Sequence, residues 1–309
     1  MRVLVSDPLA KEGVDALRAA GHDVEEKKLS PEELVAAIGD YEALVIRSET
    51  KVTRAVLEAA QRLKVVGRAG VGVDNVDLAA AKERGVAVVN APLAATNAVA
   101  ELTIGRMLDL ARHLAPSDAS MRQGEWQKKA FMGSELSGKT LGLVGVGRIG
   151  SRVAEIAKAF GMRVVFYDPY VPEGRGPGDR FTRVEDLVAR ADYVSLHVPL
   201  TPETKHLVNA KLLAQFRKGA RLLNMSRGGI VDENALAEAV KSGHLAGAAL
   251  DVFETEPLPK DSPLLGIREI RLAPHVGAST REAQDRAGRD VAEQVNKVLA
   301  GEKPDFRVA

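Results

Sequence analysis

The chain has 309 residues, 45% of them hydrophobic, 28% charged and 4% aromatic, and it contains no cysteine. That length predicts two domains with a core each, and a sequence without cysteine excludes disulfides, thiolate metal sites and cysteine nucleophiles. Forty-three basic against 42 acidic residues leave a net charge of +1, so no broad field draws the chain to nucleic acid or to a membrane surface, and neither partner is expected.

Met1 leads straight into the strand-like Val3-Leu4-Val5 without the flanks of a signal peptide, and no apolar run reaches spanning length, which predicts a cytoplasmic protein. Short β-rich runs then alternate with longer amphipathic ones: Leu44-Val45-Ile46, Lys64-Val65-Val66, Val86-Ala87-Val88-Val89, and a second series that begins at Leu141. This is the rhythm of βαβ units, and it predicts an α/β protein with two doubly wound parallel-sheet domains. Ser30-Pro31-Glu32-Glu33 marks a helix start, with a capping Ser, a Pro at the first helical position and a Glu three residues after the cap. Ser279 and Glu282 repeat that spacing.

Between the two strand series, Val99, Leu102, Ile104, Leu108 and Leu110 recur at helical spacing, which predicts a connecting helix over about 94–114. A polar stretch holding the only tryptophan, Trp126, follows it. The second series ends near Pro274-His275, and the last helix, from Ser279 to about Ala300, has no further strand to pair with and is expected to return to the first domain. The expected domains are therefore 1–93 with 279–309, and 94–278.

Thr140-Leu141-Gly142-Leu143-Val144 reads as a buried strand running into Gly145-Val146-Gly147-Arg148-Ile149-Gly150, then a helix with apolar Ile149, Val153, Ile156 and Phe160. Strand, glycine turn and helix in that order make a dinucleotide site, because backbone N–H groups at the helix start can meet a pyrophosphate. The next strand, Arg163-Val164-Val165-Phe166-Tyr167, ends in Asp168, where an acid would accept from the adenosine ribose and repel a 2′-phosphate. NAD is the expected cofactor.

Three later strands end in polar residues: Arg221-Leu222-Leu223-Asn224-Met225 in Ser226-Arg227-Gly228-Gly229, Ala248-Ala249-Leu250 in Asp251, and Ile270-Arg271-Leu272-Ala273-Pro274 in His275. Carboxyl ends of parallel strands are where α/β sheets bind ligands. Reduction of a 2-oxo acid needs a cation for the carboxylate, a proton donor for the carbonyl oxygen and a group that keeps the donor charged. Arg227 suits the first task, His275 the second and Glu256 the third. His197, His206, His244 and His275 show no close ligand pairing, so no catalytic zinc is expected.

Taken together, Gly145 to Gly150 with Asp168, Ser226-Arg227-Gly228-Gly229-Ile230-Val231-Asp232, Asp251-Val252-Phe253-Glu254-Thr255-Glu256-Pro257 and Pro274-His275-Val276-Gly277-Ala278-Ser279-Thr280 resemble the D-isomer-specific 2-hydroxyacid dehydrogenases. The likeness covers nearly the whole chain. It implies a Rossmann-type NAD-binding domain beside a flavodoxin-like substrate domain, an active site between them, and Arg227, Glu256 and His275 as the catalytic set. Gly145, Gly147, Arg148, Ile149, Gly150, Asp168, Val198, Met225, Ser226, Asp251 and Gly277 are the residues it implies for NAD. Backbone N–H groups around Val71 and Gly72 are expected to meet the substrate carboxylate, while Arg47, Ser48 and Arg68 face its distal end.

Arg68-Ala69-Gly70-Val71-Gly72-Val73-Asp74-Asn75-Val76-Asp77, Phe131-Met132-Gly133 and the run from Gly247 to Phe253 are most similar to the branch of the family that oxidises D-3-phosphoglycerate to 3-phosphohydroxypyruvate, the first step of serine biosynthesis. The resemblance is to a short form without the C-terminal regulatory domain of longer members. Two departures stand out: Ala95, where the family often has Asn, and Lys128 with Lys129, where relatives have Arg on a segment similar to one that reaches the partner subunit's site. The resemblance further implies a homodimer formed through the NAD-binding domain, with the Trp126 segment suited to the contact. Hydroxypyruvate or glyoxylate reduction is the alternative activity, and an NADH-sensing corepressor-like binding protein the alternative class.

Overall fold

The computed structural model describes residues 1–172 and 174–309. The chain divides into two compact units, residues 1–96 with 278–309 and residues 97–277.

The first unit begins with β1 (Arg2–Val5), α1 (Lys11–Ala19), β2 (Asp23–Glu26), α2 (Pro31–Ala37), β3 (Ala43–Ile46), α3 (Arg54–Ala59), β4 (Val65–Arg68), α4 (Leu78–Glu83) and β5 (Ala87–Asn90). All five strands are parallel, in the order β2-β1-β3-β4-β5, the flavodoxin-like arrangement. Alternate residues of each strand feed opposite faces. Leu4, Leu44, Val66 and Val88 pack with Leu34, Val56 and Ala80 of α2, α3 and α4, while Val3, Val45, Val65 and Val89 face the other way. The capping box at Ser30 forms as expected, with the serine hydroxyl accepting from the Glu33 N–H and the Glu33 carboxylate from the Ser30 N–H. Such a cap contributes about 1 kcal/mol.

The second unit holds α5 (Thr96–Arg112, from its second residue on), α6 (Leu114–Arg122), β6 (Thr140–Val144), α7 (Arg148–Ala159), β7 (Arg163–Tyr167), β8 (Asp179–Arg180), α8 (Val184–Val188), β9 (Tyr193–Leu196), α9 (Ala210–Leu213), β10 (Arg221–Asn224), α10 (Glu233–Lys241), β11 (Gly247–Leu250) and β12 (Ile270–Leu272). Its seven parallel strands run β12-β11-β10-β9-β6-β7-β8. Counted from β6, that is the Rossmann order of three strands one way and the rest the other, with the reversal between β6 and β9.

The final helix, α11 (Arg281–Leu299), belongs to the first unit, as expected. Its Ala287, Val291 and Val295 cover the second face of the five-stranded sheet. The approach is close enough that a Cβ on Gly67 of β4 would lie 2.6 Å from Val295, and one on Gly13 of α1 would lie 2.7 Å from the Gly288 carbonyl.

Three local expectations are corrected. The cap of α11 is Thr280, whose hydroxyl accepts from the Ala283 N–H, and not Ser279, because the helix starts one residue later than the Ser279/Glu282 spacing implied. The chain after α11 does pair: the Val308 N–H donates to the Val88 carbonyl at 2.7 Å, and Arg307 bridges Val89 in antiparallel fashion, so the tail edges β5. Phe160 is not part of the buried face of α7; it is the C-cap residue, 41% exposed, because the helix ends before the spacing brings it inward.

Candidate active site

The glycine turn follows β6 at the point where the seven-stranded order reverses. Two of its glycines have a packing reason to lack a side chain. Gly145 adopts φ 90°, and a Cβ there would lie 2.6 Å from the His197 carbonyl at the end of β9. A Cβ on Gly150 would lie 2.4 Å from the Gly145 carbonyl, so this glycine lets α7 press onto the turn. Around Gly147 a Cβ would meet nothing. Gly147 is also the N-cap of α7 and caps it with no side chain, which leaves the first-turn N–H groups without a side-chain cap.

Asp168, beyond the end of β7, accepts the N–H groups of Val146 at 3.0 Å and Tyr170 at 2.9 Å. The carboxylate therefore shapes the glycine turn itself, a task the sequence did not suggest, and it retains acceptor capacity for ribose hydroxyls. Arg148 is exposed at the first position of α7, Ile149 is half-buried beside it, and the Val198 side chain lies against Gly145. An open helix N-terminus, a bare Gly147 and an acid at the neighbouring strand end suit a dinucleotide. His197 is tied to its own strand. Its Nε2 lies 2.9 Å from the Ser195 hydroxyl, and burial pushes the imidazole down to about 4.

The candidate catalytic residues sit on three loops that leave β10, β11 and β12. Asn224, buried at the end of β10, donates from Nδ2 to the Arg227 carbonyl at 2.9 Å and accepts from both the N–H and the hydroxyl of Ser226. That single amide folds the Met225–Arg227 turn. The Arg227 guanidinium donates to the Ser226 carbonyl at 2.7 Å. A Cβ on Gly228 would lie 1.7 Å from the Phe253 carbonyl, so the Arg227 turn and the loop after β11 are in backbone contact.

Asp251, 1% exposed, accepts the N–H groups of Val276 at 2.8 Å and Gly277 at 2.7 Å. Burial raises its carboxyl above the ordinary range, and the two backbone donors oppose that rise. The same two donors hold the turn in which His275 takes φ 52°, a left-handed conformation that non-glycine residues adopt at a cost of about 1–3 kcal/mol. His275 Nδ1 lies 2.7 Å from Oε2 of Glu256, whose Oε1 accepts the Phe253 N–H at 3.0 Å. Both side chains are open to solvent, at 49% and 37% exposed. With Nδ1 committed to a carboxylate, Nε2 is the ring atom left to exchange a proton.

In the first unit, Arg68 closes β4 and pairs in register with Ile46 of β3, so Arg47 and Ser48 emerge from the adjacent strand end. Val71 and Gly72, both half-buried, follow three and four residues after Arg68. The Arg68 guanidinium lies over Gly70, where a Cβ would fall 1.6 Å from it. These five residues come together at the carboxyl edge of one sheet. Lys128 and Lys129 lie in the second unit, exposed in the turn after α6. Among the described residues, no three His, Asp or Glu side chains are grouped to hold a metal ion, and no helix is long and apolar enough to cross a membrane. Sequence reasoning missed Asn224 and the buried polar residues Asp7 and Asn90; their one signal is an Asn or Asp closing, or lying just beyond, an otherwise apolar strand.

The D-isomer specific 2-hydroxyacid dehydrogenase family, in its NAD binding domain, matches residues 104–277. A D-3-phosphoglycerate dehydrogenase from Methanocaldococcus jannaschii is 51% identical over 305 residues, 98% of this chain and 58% of that one. The chain spans about half the length of the curated relatives it matches, 54% in the case of the Synechocystis enzyme of the same name. Among solved structures, a Thermus thermophilus protein superposes with a TM-score of 0.93 at 41% identity, with both chains fully covered. An NAD-dependent formate dehydrogenase from Staphylococcus aureus, crystallised with NAD, gives 0.89 at 30% identity over 100% of this chain and 99% of that one. The match over more than half of the chain, on the strand ends that carry the glycine turn, Arg227, Glu256 and His275, places this protein in the D-isomer specific 2-hydroxyacid dehydrogenase family.

Proposed function

We propose that the protein is an NAD-dependent dehydrogenase that interconverts D-3-phosphoglycerate and 3-phosphohydroxypyruvate. The observation that carries the reaction type is the His275–Glu256 pair at 2.7 Å on the same unit as the open glycine turn. The substrate is inferred from the name of the relatives at 44–51% identity and from two arginines at adjacent strand ends of the first unit.

Bound NAD supplies the acceptor for the hydrogen that leaves C2 of the hydroxy acid. Its pyrophosphate would be held by the first-turn N–H groups of α7 at Gly147, Arg148 and Ile149, and its adenosine ribose by Asp168. Val198, Met225, Ser226, Asp251 and Gly277 complete the proposed cofactor set. Asp168 also disfavours a 2′-phosphate, which supports NAD over NADP. His275 takes the proton of the C2 hydroxyl at Nε2 during oxidation and returns it during reduction, while Glu256 stabilises the imidazolium from Nδ1. Arg227 clamps the carboxylate with a guanidinium that stays charged. The N–H groups of Val71 and Gly72 are proposed to meet the same carboxylate, and Arg47, Ser48 and Arg68 the phosphate, with Lys128 and Lys129 as further cations.

A homodimer is part of the proposal. Trp126 and Met132 are 81% and 82% exposed, and Met121, Trp126 and Phe131 line one apolar hollow beside α6. Isolated chains rarely leave such residues in water. Sedimentation should give two copies, and Trp126→Glu should shift the mass toward one.

The decisive experiment is a substrate panel run with NADH and with NADPH. Faster turnover of 3-phosphohydroxypyruvate than of hydroxypyruvate or glyoxylate, with NADH preferred, is the expected result. Preference for the unphosphorylated acids would overturn the substrate, and binding of NADH without turnover on any acid would overturn the enzyme.

A further inference from the structure

The first sheet reverses its strand order between β1 and β3, and the loops that leave this crevice are tied together by three polar side chains, the buried Asp7 and Asn90 and the half-buried Asn75. Asp7, two residues past β1 and 3% exposed, accepts the N–H groups of Arg47 at 2.6 Å and Thr50 at 3.1 Å on Oδ2, and the Thr50 hydroxyl at 2.6 Å on Oδ1. From the other side, Asn75 donates through Nδ2 to the carbonyls of Arg47 at 2.8 Å and Thr50 at 2.6 Å. The backbone of Arg47 is thus clamped at its N–H by one loop and at its carbonyl by another. Asn90, at the end of β5, donates to the Val71 carbonyl at 2.5 Å. The loop after β4 is therefore fixed to β5 at residue 71 and to the loop after β3 at residue 75.

A solvated turn has water for its carbonyls and needs no such arrangement. What the arrangement does fix is a length. Asn75 lies on the same short loop as Val71 and Gly72 and holds the backbone of Arg47, so it sets how far the amides proposed for the carboxylate lie from the cation proposed for the distal anion. A phosphorylated three-carbon acid has two anionic ends at one separation. Glyoxylate and hydroxypyruvate have a single anionic end and put no demand on that distance.

We propose that Asn75, with Asp7 beneath it, is a positioning residue that makes the first unit a gauge for acids bearing a second anionic group at C3. The inference rests on the phosphorylated substrate proposed above, and its test separates the two. Steady-state rates would be compared for wild type, Asn75→Ala and Asp7→Asn on 3-phosphohydroxypyruvate, hydroxypyruvate and glyoxylate, with the thermal midpoint of each protein. In Asn75→Ala, KM for the phosphorylated acid should rise roughly tenfold, the scale for losing buried hydrogen bonds. Its kcat, and both constants for the other two acids, should stay within about threefold. Asp7→Asn should shift the same constant in the same direction. Should Asn75→Ala fail to fold, Asn75→Ser carries the comparison. Equal losses on all three acids, or unchanged discrimination in the variants, would overturn the gauge while leaving the substrate in place. Wild-type preference for the unphosphorylated acids would overturn the substrate first and the gauge with it.

Discussion

Nδ1 of His275 and Oε2 of Glu256 lie 2.7 Å apart although the residues come from loops after two different strands, β12 and β11. The carboxylate is itself steadied by the Phe253 N–H, and the histidine turn by Asp251, so the pair is held from both ends. His275→Ala should therefore lower kcat by roughly 10²–10⁴-fold, the scale of a lost general acid or base. NADH affinity, read by fluorescence titration, should stay close to wild type. A fall in affinity that matches the fall in rate would make His275 a cofactor contact. Glu256→Gln keeps the shape and removes the charge, and it should lower kcat on the order of tenfold or more because the imidazolium loses its negative partner.

Gly228 offers a second test of the same assembly. A Cβ there would lie 1.7 Å from the Phe253 carbonyl and 2.3 Å from its carbon, both backbone atoms that cannot swing away. Gly228→Ala must separate the Arg227 turn from the loop carrying Glu256. The expected outcome is a loss of at least tenfold in kcat/KM on every acid, since a displaced carboxylate clamp is blind to the rest of the substrate. Rates within twofold of wild type would show that Arg227 works from a different position.

The glycine turn makes opposite demands at neighbouring residues. Gly147→Ala meets no atom within 4 Å in the protein, so thermal stability should hold, yet the new methyl would stand at the proposed pyrophosphate site, and NADH affinity should fall. A variant that bound NADH normally would move the pyrophosphate elsewhere. Asp168→Ala should weaken NADH and narrow the gap to NADPH, and should also loosen the turn, because the carboxylate holds the Val146 N–H. Measuring both cofactors separates these effects: loosening alone weakens both alike.

Burial pushes His197 down to about 4, so its ring is neutral in the folded chain over a range where an unfolded histidine is charged. The unfolded state then binds the extra proton, and the folded state loses stability as pH falls from about 6.5 toward 4. By pH 5 this one group should cost about 2 kcal/mol relative to pH 7. Carboxylates add their own acid dependence, so the useful quantity is a difference. His197→Gln should flatten the urea-derived stability between pH 7 and pH 5 by that amount, and parallel curves for the two proteins would count against a desolvated neutral ring.

Much of this was legible along the chain, and the reason is that the informative features are local. A parallel strand buried on both faces is a short apolar run, and the residue that closes it marks the ligand-facing edge of the sheet; the strand ends at Val144 before Gly145 and Leu250 before Asp251 could be found that way. What stayed hidden depends on residues far apart in sequence. Asp7 was invisible as a partner of Arg47 because 40 residues separate them, and Asn75 looked like one more polar loop residue. Asn224 lay in view at the end of its strand, but its folding of the Ser226–Arg227 turn needs three-dimensional closure. Phe160 failed for a simpler reason. Helical spacing continues past the residue where a helix stops, and only the cap decides.

Arg47 is the residue on which the substrate proposal turns. Its backbone is clamped by Asp7 and Asn75, whereas its guanidinium reaches the Pro8 carbonyl at a long 3.5 Å, so truncating the side chain should leave the loop standing. Arg47→Ala should then cost about 1.5–3 kcal/mol in kcat/KM for 3-phosphohydroxypyruvate, the usual scale for a hydrogen bond to a charged group, or roughly 10- to 150-fold. Losses on hydroxypyruvate and glyoxylate should be much smaller, because neither carries the phosphate. Lysine at this position should recover only part of the loss, since an ammonium cannot grip a phosphate through two parallel donors. If all three acids suffer equally, Arg47 serves the common carboxylate and the phosphate must be sought at Arg68, Lys128 or Lys129.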